Sequence, residues 1–191
     1  MAKLYNDIPG WFTYASLYDE VIKKYADKPA NFIEIGCWFG RSGTYMVEQL
    51  AELGANTHVF FLDTWLGGKD EPEERGLVTD NGVDYVYNAF KENISKVGYK
   101  NTHVVRDDSV KGADNFPDEF FDFIFIDAGH HDWECYNDMV AWYPKLRSNG
   151  IMAGHDIDYI DVENSVKRFA SEYNINIGNV GSHTQCWRFT R

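Results

Sequence analysis

Short, mostly apolar runs alternate along this chain with stretches of helical spacing, and that alternation constrains the fold more than any other feature. The runs at 31–35 (NFIEI), 58–62 (HVFFL), 102–105, 121–126 (FDFIFI) and 150–153 have strand length. Strands with little polar alternation belong in a parallel sheet covered on both faces. Between them, 14–25, 41–53, 83–97, 132–146 and 161–173 read as helices. In 14–25, Leu17, Val21, Ile22 and Tyr25 share one face. Gly54 stops the second helix, and Asp161 is placed to cap the last. The tail, 175–180 and 184–189, reads as two strands joined through Gly181.

The expected architecture is a single α/β domain over 1–191. Its sheet is Rossmann-like, doubly wound and mostly parallel, with helices on both faces and a C-terminal antiparallel strand pair. Residues 1–30 form an N-terminal helical segment. Residues 64–82 hold Gly67, Gly68 and the acids Asp70, Glu71, Glu73 and Glu74, and read as a loop that acts as a lid or substrate wall.

Charge narrows the partners. A formal net charge of −12 with scattered basic residues argues against DNA or RNA. The 3 cysteines, Cys37, Cys135 and Cys186, have no CxxC spacing, which argues against a disulfide framework or a structural zinc site. With no leader pattern and no apolar stretch of membrane-spanning length, the cytoplasm is the expected location. Aromatic residues at 16% suit both a packed core and a pocket for a ring-bearing ligand.

In a doubly wound sheet, ligands bind beyond the carboxyl ends of the strands, so the residues just after each strand matter most. After the first come Gly36, Cys37, Trp38, Phe39, Gly40, Arg41 and Ser42. Gly36 and Gly40 permit a tight turn and close ligand approach, and the next helix offers unpaired N–H groups. The spacing is not that of a dinucleotide loop, and Trp38 and Phe39 stand where pyrophosphate needs a small residue. The turn suits a ligand with a carboxylate and an ammonium group, with Glu34 toward the ammonium and Arg41 or helix N–H groups toward the carboxylate. Asp63 ends the second strand, in place to meet two ribose hydroxyls. Asp108 and Ser109 follow the third, to meet an adenine edge or to cap the next helix.

The last two parallel strands end in Asp127, His130 and His131, and in His155 and Asp156. Oxygen and nitrogen donors from two strand ends can hold a divalent cation, and Asp127, His155 and Asp156 are the expected trio, with magnesium or manganese. A cation would lower the pKa of a bound hydroxyl. His130, His131 or His155 would serve as general base.

These residues resemble the class I S-adenosylmethionine-dependent methyltransferases. The matched branch carries an E-[IV]-G-x-x-x-G-[RK]-S turn, here Glu34 to Ser42. It also carries a late F-I-D-A-x-H…D-x-x-x-W-x-P-x-L-x-x-x-G-x-x-x-G-H-D stretch, here from Phe125, Ile126, Asp127 and His130 through Asp138, Trp142, Pro144, Leu146 and Gly150 to Gly154, His155 and Asp156. The branch is similar to macrocin-type sugar O-methyltransferases and cephalosporin-pathway proteins, and the resemblance covers about residues 9–191. It implies S-adenosylmethionine binding by Glu34, Gly36, Ser42, Asp63, Asp108, Ser109 and Asp127, and a cation at Asp127, His155 and Asp156 in metal-dependent relatives. Asp132 and Trp133 replace a commoner Tyr-Glu, His155 stands where relatives often have a carboxylate, and Asn149 replaces a glycine. The implied reaction is O-methyl transfer to a small-molecule or sugar hydroxyl. A homo-oligomer is allowed. The alternatives are a non-catalytic nucleotide or metabolite binder on the same fold, or a nucleotide-dependent oxidoreductase.

Overall fold

The computed structural model describes residues 3–68, 72–131, 133–180 and 185–191. Seven strands form one sheet in the order β3-β2-β1-β4-β5-β7-β6. They are β1 (Ala30–Ile35), β2 (Thr57–Asp63), β3 (Thr102–Arg106), β4 (Phe121–Ile126), β5 (Leu146–Gly154), β6 (Gly178–Val180) and β7 (Cys186–Thr190). The first five are parallel; β7 runs antiparallel to both β5 and β6. The mostly parallel sheet with its antiparallel C-terminal pair agrees with the sequence reading.

Helices α1 (Ala15–Tyr25), α2 (Arg41–Leu53) and α4 (Tyr85–Val97) pack on one face of the sheet; α5 (Glu134–Trp142) and α6 (Ile160–Tyr173) pack on the other. The central strands feed both layers. Phe32, Val59, Phe61, Phe123 and Phe125 join the first core, while Ile33, Ile35, Leu62, Ile124 and Ile126 join the second. This two-sided burial is why the runs lack polar alternation. The chain lays β1, β2 and β3 outward in one direction, then β4 and β5 in the other. The switch point therefore lies between β1 and β4, where a crevice opens beyond the strand ends.

Three readings shift. Residues 64–82 contain a helix, α3 (Pro72–Asn81), with one buried residue, Val78. The helix after β4 is shorter than 132–146, ending at Trp142 and passing through a 3₁₀ turn, Tyr143–Lys145, into a longer β5. The last helix begins at Ile160 behind Tyr159, so Asp161 lies in its first turn and does not cap it. The Gly181 joint and Asp132 lie outside the described residues. Among those described, no helix is long and apolar enough to cross a membrane.

Candidate active site

Gly36 and Asp127 meet at the switch point. The Asp127 N–H donates to the Ile35 carbonyl at 2.8 Å, and the Gly36 N–H donates to the Leu62 carbonyl at 2.9 Å. A Cβ on Gly36 would lie 1.9 Å from the Asp127 carbonyl oxygen, and its φ is +82°. Only glycine fits there. Above this point opens a cavity of about 670 Å³, bordered by the residues that follow β1, β2, β3, β4 and β5 and by the N-terminal segment around Trp11 and Tyr14. Three non-glycine residues at these strand ends have positive φ: Trp38 (45°), Trp65 (55°) and Asp156 (60°). Backbone strain of that kind collects at ligand sites.

Most residues expected to hold a donor line this cavity: Gly36, Ser42, Asp63, Asp108, Ser109 and Asp127. Two do not. Gly40 adopts φ +84° as the residue before α2 and shapes the turn. Glu34 is completely buried beneath the cavity and accepts a short hydrogen bond from the Ser42 hydroxyl. Burial, only partly opposed by that bond, raises its pKa from 4.5 to about 8. Glu34 therefore does not touch the cavity itself but holds Ser42, which lines it.

Asp63 has a double role. Its Oδ2 accepts from the Cys37 and Trp38 N–H groups at 2.7 and 2.9 Å, and its Oδ1 from the Trp65 N–H at 2.7 Å. Two carboxylate oxygens offer about four acceptor positions, so capacity for a hydroxyl remains. Asp108 caps the 3₁₀ turn after β3, accepting from the Val110 and Lys111 N–H groups at 3.1 Å each. The Ser109 carbonyl accepts from Trp142 Nε1 at 2.7 Å. The capping reading thus holds for Asp108, which lines the cavity as well. Arg41 lines the wall and donates Nη1 to the Gly10 carbonyl at 2.8 Å, while its buried Nε has no hydrogen-bond partner.

The Asp/His group departs from the expected trio. One ligand atom from each of Asp127, His130 and Asp156 lies within 4.8 Å of the others, and His155 is not part of that set. His155 Nε2 bonds Thr13 Oγ1 at 3.1 Å, and Nδ1 faces Asp156 Oδ1 at 3.1 Å. Both ring nitrogens are committed. Burial alone would lower the His155 pKa, but Asp156 and Asp127 outweigh it and raise the value above 6.5. His155 lines the cavity, and its ring nitrogens face Thr13, Asp156 and, at 3.7 Å, Asp127. His130 Nε2 lies 2.8 Å from Asp156 Oδ2, and its ring stacks on Tyr159 at 5.4 Å. Burial opposes ionisation of Asp156, but its bonds to His130 and His155 hold the carboxyl below the usual range. Burial raises the Asp127 pKa, with His155 opposing and Asp156 adding. Tyr14 donates its hydroxyl to Asp127 Oδ2 at 2.8 Å. His131 lines the same wall.

Thr13 and Tyr14, in the N-terminal segment, reach the strand ends from more than a hundred residues away, so no local pattern assigns them these contacts. Trp65 and Trp187 are core residues at 0% and 1% exposure, and Trp133 does not line the cavity. The aromatic residues at the mouth are Trp11 and Tyr159.

A family described as a methyltransferase domain matches residues 33–157, from β1 through the turn after β5. The chain belongs to that methyltransferase family. The matched span holds most of the crevice, and the protein is an enzyme by that membership. No curated protein sequence matches the chain. The fold of this methyltransferase is similar to a putative caffeoyl-CoA O-methyltransferase from Staphylococcus aureus, with 14% identity, a TM-score of 0.69, and coverage of 97% of this chain and 86% of the other. It is also similar to an SAM-dependent O-methyltransferase from Thermotoga maritima, at 15% identity, a TM-score of 0.66, and coverage of 100% and 71%. A third similar structure is a putative methyltransferase from Streptococcus mutans in complex with SAH, at 9% identity, a TM-score of 0.62, and coverage of 95% and 99%. At these identities the likeness is one of fold, the class I methyltransferase arrangement.

Proposed function

We propose that this enzyme transfers the methyl group of S-adenosylmethionine to a hydroxyl of a small molecule or a sugar. The supporting observation is the cavity over Gly36, where backbone closes on backbone and Asp63 stands at the end of β2. The buried, unpartnered Arg41 Nε beside this cavity fits a ligand carboxylate. The wide aromatic turn at Trp38 and Phe39 does not suit pyrophosphate, which sets the oxidoreductase reading aside. Asp63 and the turn from Gly36 to Ser42 would hold the donor, which when bound would supply an electrophilic methyl group on its sulfonium. The acceptor oxygen attacks the methyl carbon in line, the carbon–sulfur bond breaks, and S-adenosylhomocysteine leaves as a neutral thioether. His130, steadied by Asp156 and stacked on Tyr159, takes the hydroxyl proton. Positioning supplies most of the acceleration in such a transfer.

The donor set of Asp127, His130 and Asp156 also fits one divalent cation. Manganese suits the mixed oxygen and nitrogen set better than magnesium. When bound, the ion would engage His130 as a ligand and would itself orient the acceptor hydroxyl and make it more acidic, in place of proton removal by His130.

Thermal unfolding with and without S-adenosylhomocysteine tests the donor reading. The wild type gains stability, by about 2.7 kcal/mol when ligand exceeds its Kd a hundredfold. Asp63→Asn keeps the side-chain size, and its shift should shrink. An equal shift in wild type and variant removes Asp63 from the donor site.

A further inference from the structure

The mouth of the cavity carries a bias that the donor does not explain. Beyond β4 and β5 the wall includes Glu134 and Asp158, together with Asp156. Glu134 accepts from the His131 N–H at 3.3 Å, and Asp158 accepts from Gln185 Nε2 at 2.6 Å. Both partners are neutral, and neither carboxylate forms an ion pair among the described residues. The Glu134 carboxylate sits where a Cβ on Gly129 would come within 2.2 Å of it, so it leans over the strand end itself. Among the described residues no lysine lines the cavity, and its single arginine, Arg41, donates to the carbonyl of Gly10, next to Trp11 in the chain. His130 and His155 partly offset Asp156, whereas Glu134 and Asp158 have no cation paired with them among the described residues, so this side of the cavity stays negative and its low-dielectric walls focus the field.

Two aromatic rings frame the same mouth. Trp11 is 77% exposed and Tyr159 49%, although both line the cavity. Packing does not account for their exposure. An open indole face attracts a cation as well as an apolar ring.

From this pairing of uncompensated carboxylates with exposed aromatic faces, and resting on the methyl-transfer reading above, we infer that the acceptor is a small hydroxylated amine bound in its ammonium form. Its hydroxyl reaches His130, its ring or carbon frame lies against Trp11 or Tyr159, and its ammonium faces Glu134 and Asp158. Acceptors that carry phosphate, coenzyme A or a carboxylate meet like charge and are rejected. This differs from the coenzyme A ester named for the S. aureus neighbour.

Three probes share one phenol ring and differ only in side-chain charge: tyramine, tyrosol and 4-hydroxyphenylacetate. Calorimetry first establishes saturation of the protein, and of the Glu134→Gln/Asp158→Asn variant, with S-adenosylhomocysteine. Failure of that step in the wild type overturns the donor reading. Each probe is then titrated onto the saturated protein and followed by ligand-observed NMR. Tyramine should bind about tenfold tighter than 4-hydroxyphenylacetate, with tyrosol between them, and the double variant should erase most of that ratio while leaving tyrosol unchanged. The inference is overturned if the donor product saturates the protein yet the probes bind without charge order, if none of them binds, or if the double variant keeps the wild-type ratio.

Discussion

Gly36 leaves no room for any other side chain, because its missing Cβ points at the Asp127 carbonyl. Gly36→Ala would add overlap to an unfavourable φ, a loss on the order of 3 kcal/mol readable as a lower urea midpoint. An unchanged midpoint would mean that the two strand ends separate easily. Beneath the same turn, Glu34 gives folding a pH dependence of defined sign. The unfolded chain releases this proton near 4.5, whereas burial in the folded protein holds it until about 8. The unfolded state binds fewer protons across that window, so stability falls as pH rises through it, by up to about 1.4 kcal/mol per pH unit. Asp138, also buried and raised from 3.8 to about 7, adds to the slope in the lower part of the window. Unfolding free energy measured between pH 5 and 8 should fall more gently in Glu34→Gln than in wild type; parallel lines would place an ionised carboxylate at Glu34. Residues such as Asp63, Asp127 and Asp156 were legible in the sequence because each closes a strand. Which partners an imidazole finds there was not. His155 lines the crevice with its ring held between Asp156, which takes φ 60°, and Thr13 from a distant segment, and a local pattern encodes neither contact.

Helix α3 shows what periodicity misses at the scale of elements. It has Pro72 at its start and acids in its first turn, but Gly76 interrupts it and only Val78 is buried, so there is no apolar stripe to read. The other helices, and the parallel strands β1, β2, β4 and β5, were legible because each buries a continuous face in one or both of the two cores. With so little buried, α3 should exchange its amide hydrogens much faster than β1 or β4 in the free protein. We propose that it serves as a lid. Adding S-adenosylhomocysteine should then slow exchange over 72–81, measured by mass spectrometry. Exchange as slow as the sheet's before ligand is added would mark α3 as a fixed wall. Asn149 offers the converse lesson. It replaces a glycine of the resembling branch and holds φ 64°, a conformation that asparagine tolerates better than most residues.

For the whole molecule, the sheet order brings groups from five strand ends and the N-terminal segment over one crevice, in a chain whose net charge is −12. Such a field favours cationic ligands, and a donor with both sulfonium and ammonium groups is one of them. The same field favours a divalent ion at Asp127, His130 and Asp156. Manganese titrated into the protein, followed by its electron-spin signal, should bind at least about tenfold more weakly in Asp156→Asn. Equal binding would leave His130 and Asp156 as a metal-free base pair. The central claim is that the crevice over Gly36 holds S-adenosylmethionine, and its most direct test is a calorimetric titration with S-adenosylhomocysteine beside one with NAD. The account predicts a saturable one-to-one isotherm for S-adenosylhomocysteine and no binding heat for NAD. No heat from S-adenosylhomocysteine, or saturable binding of NAD, would contradict it.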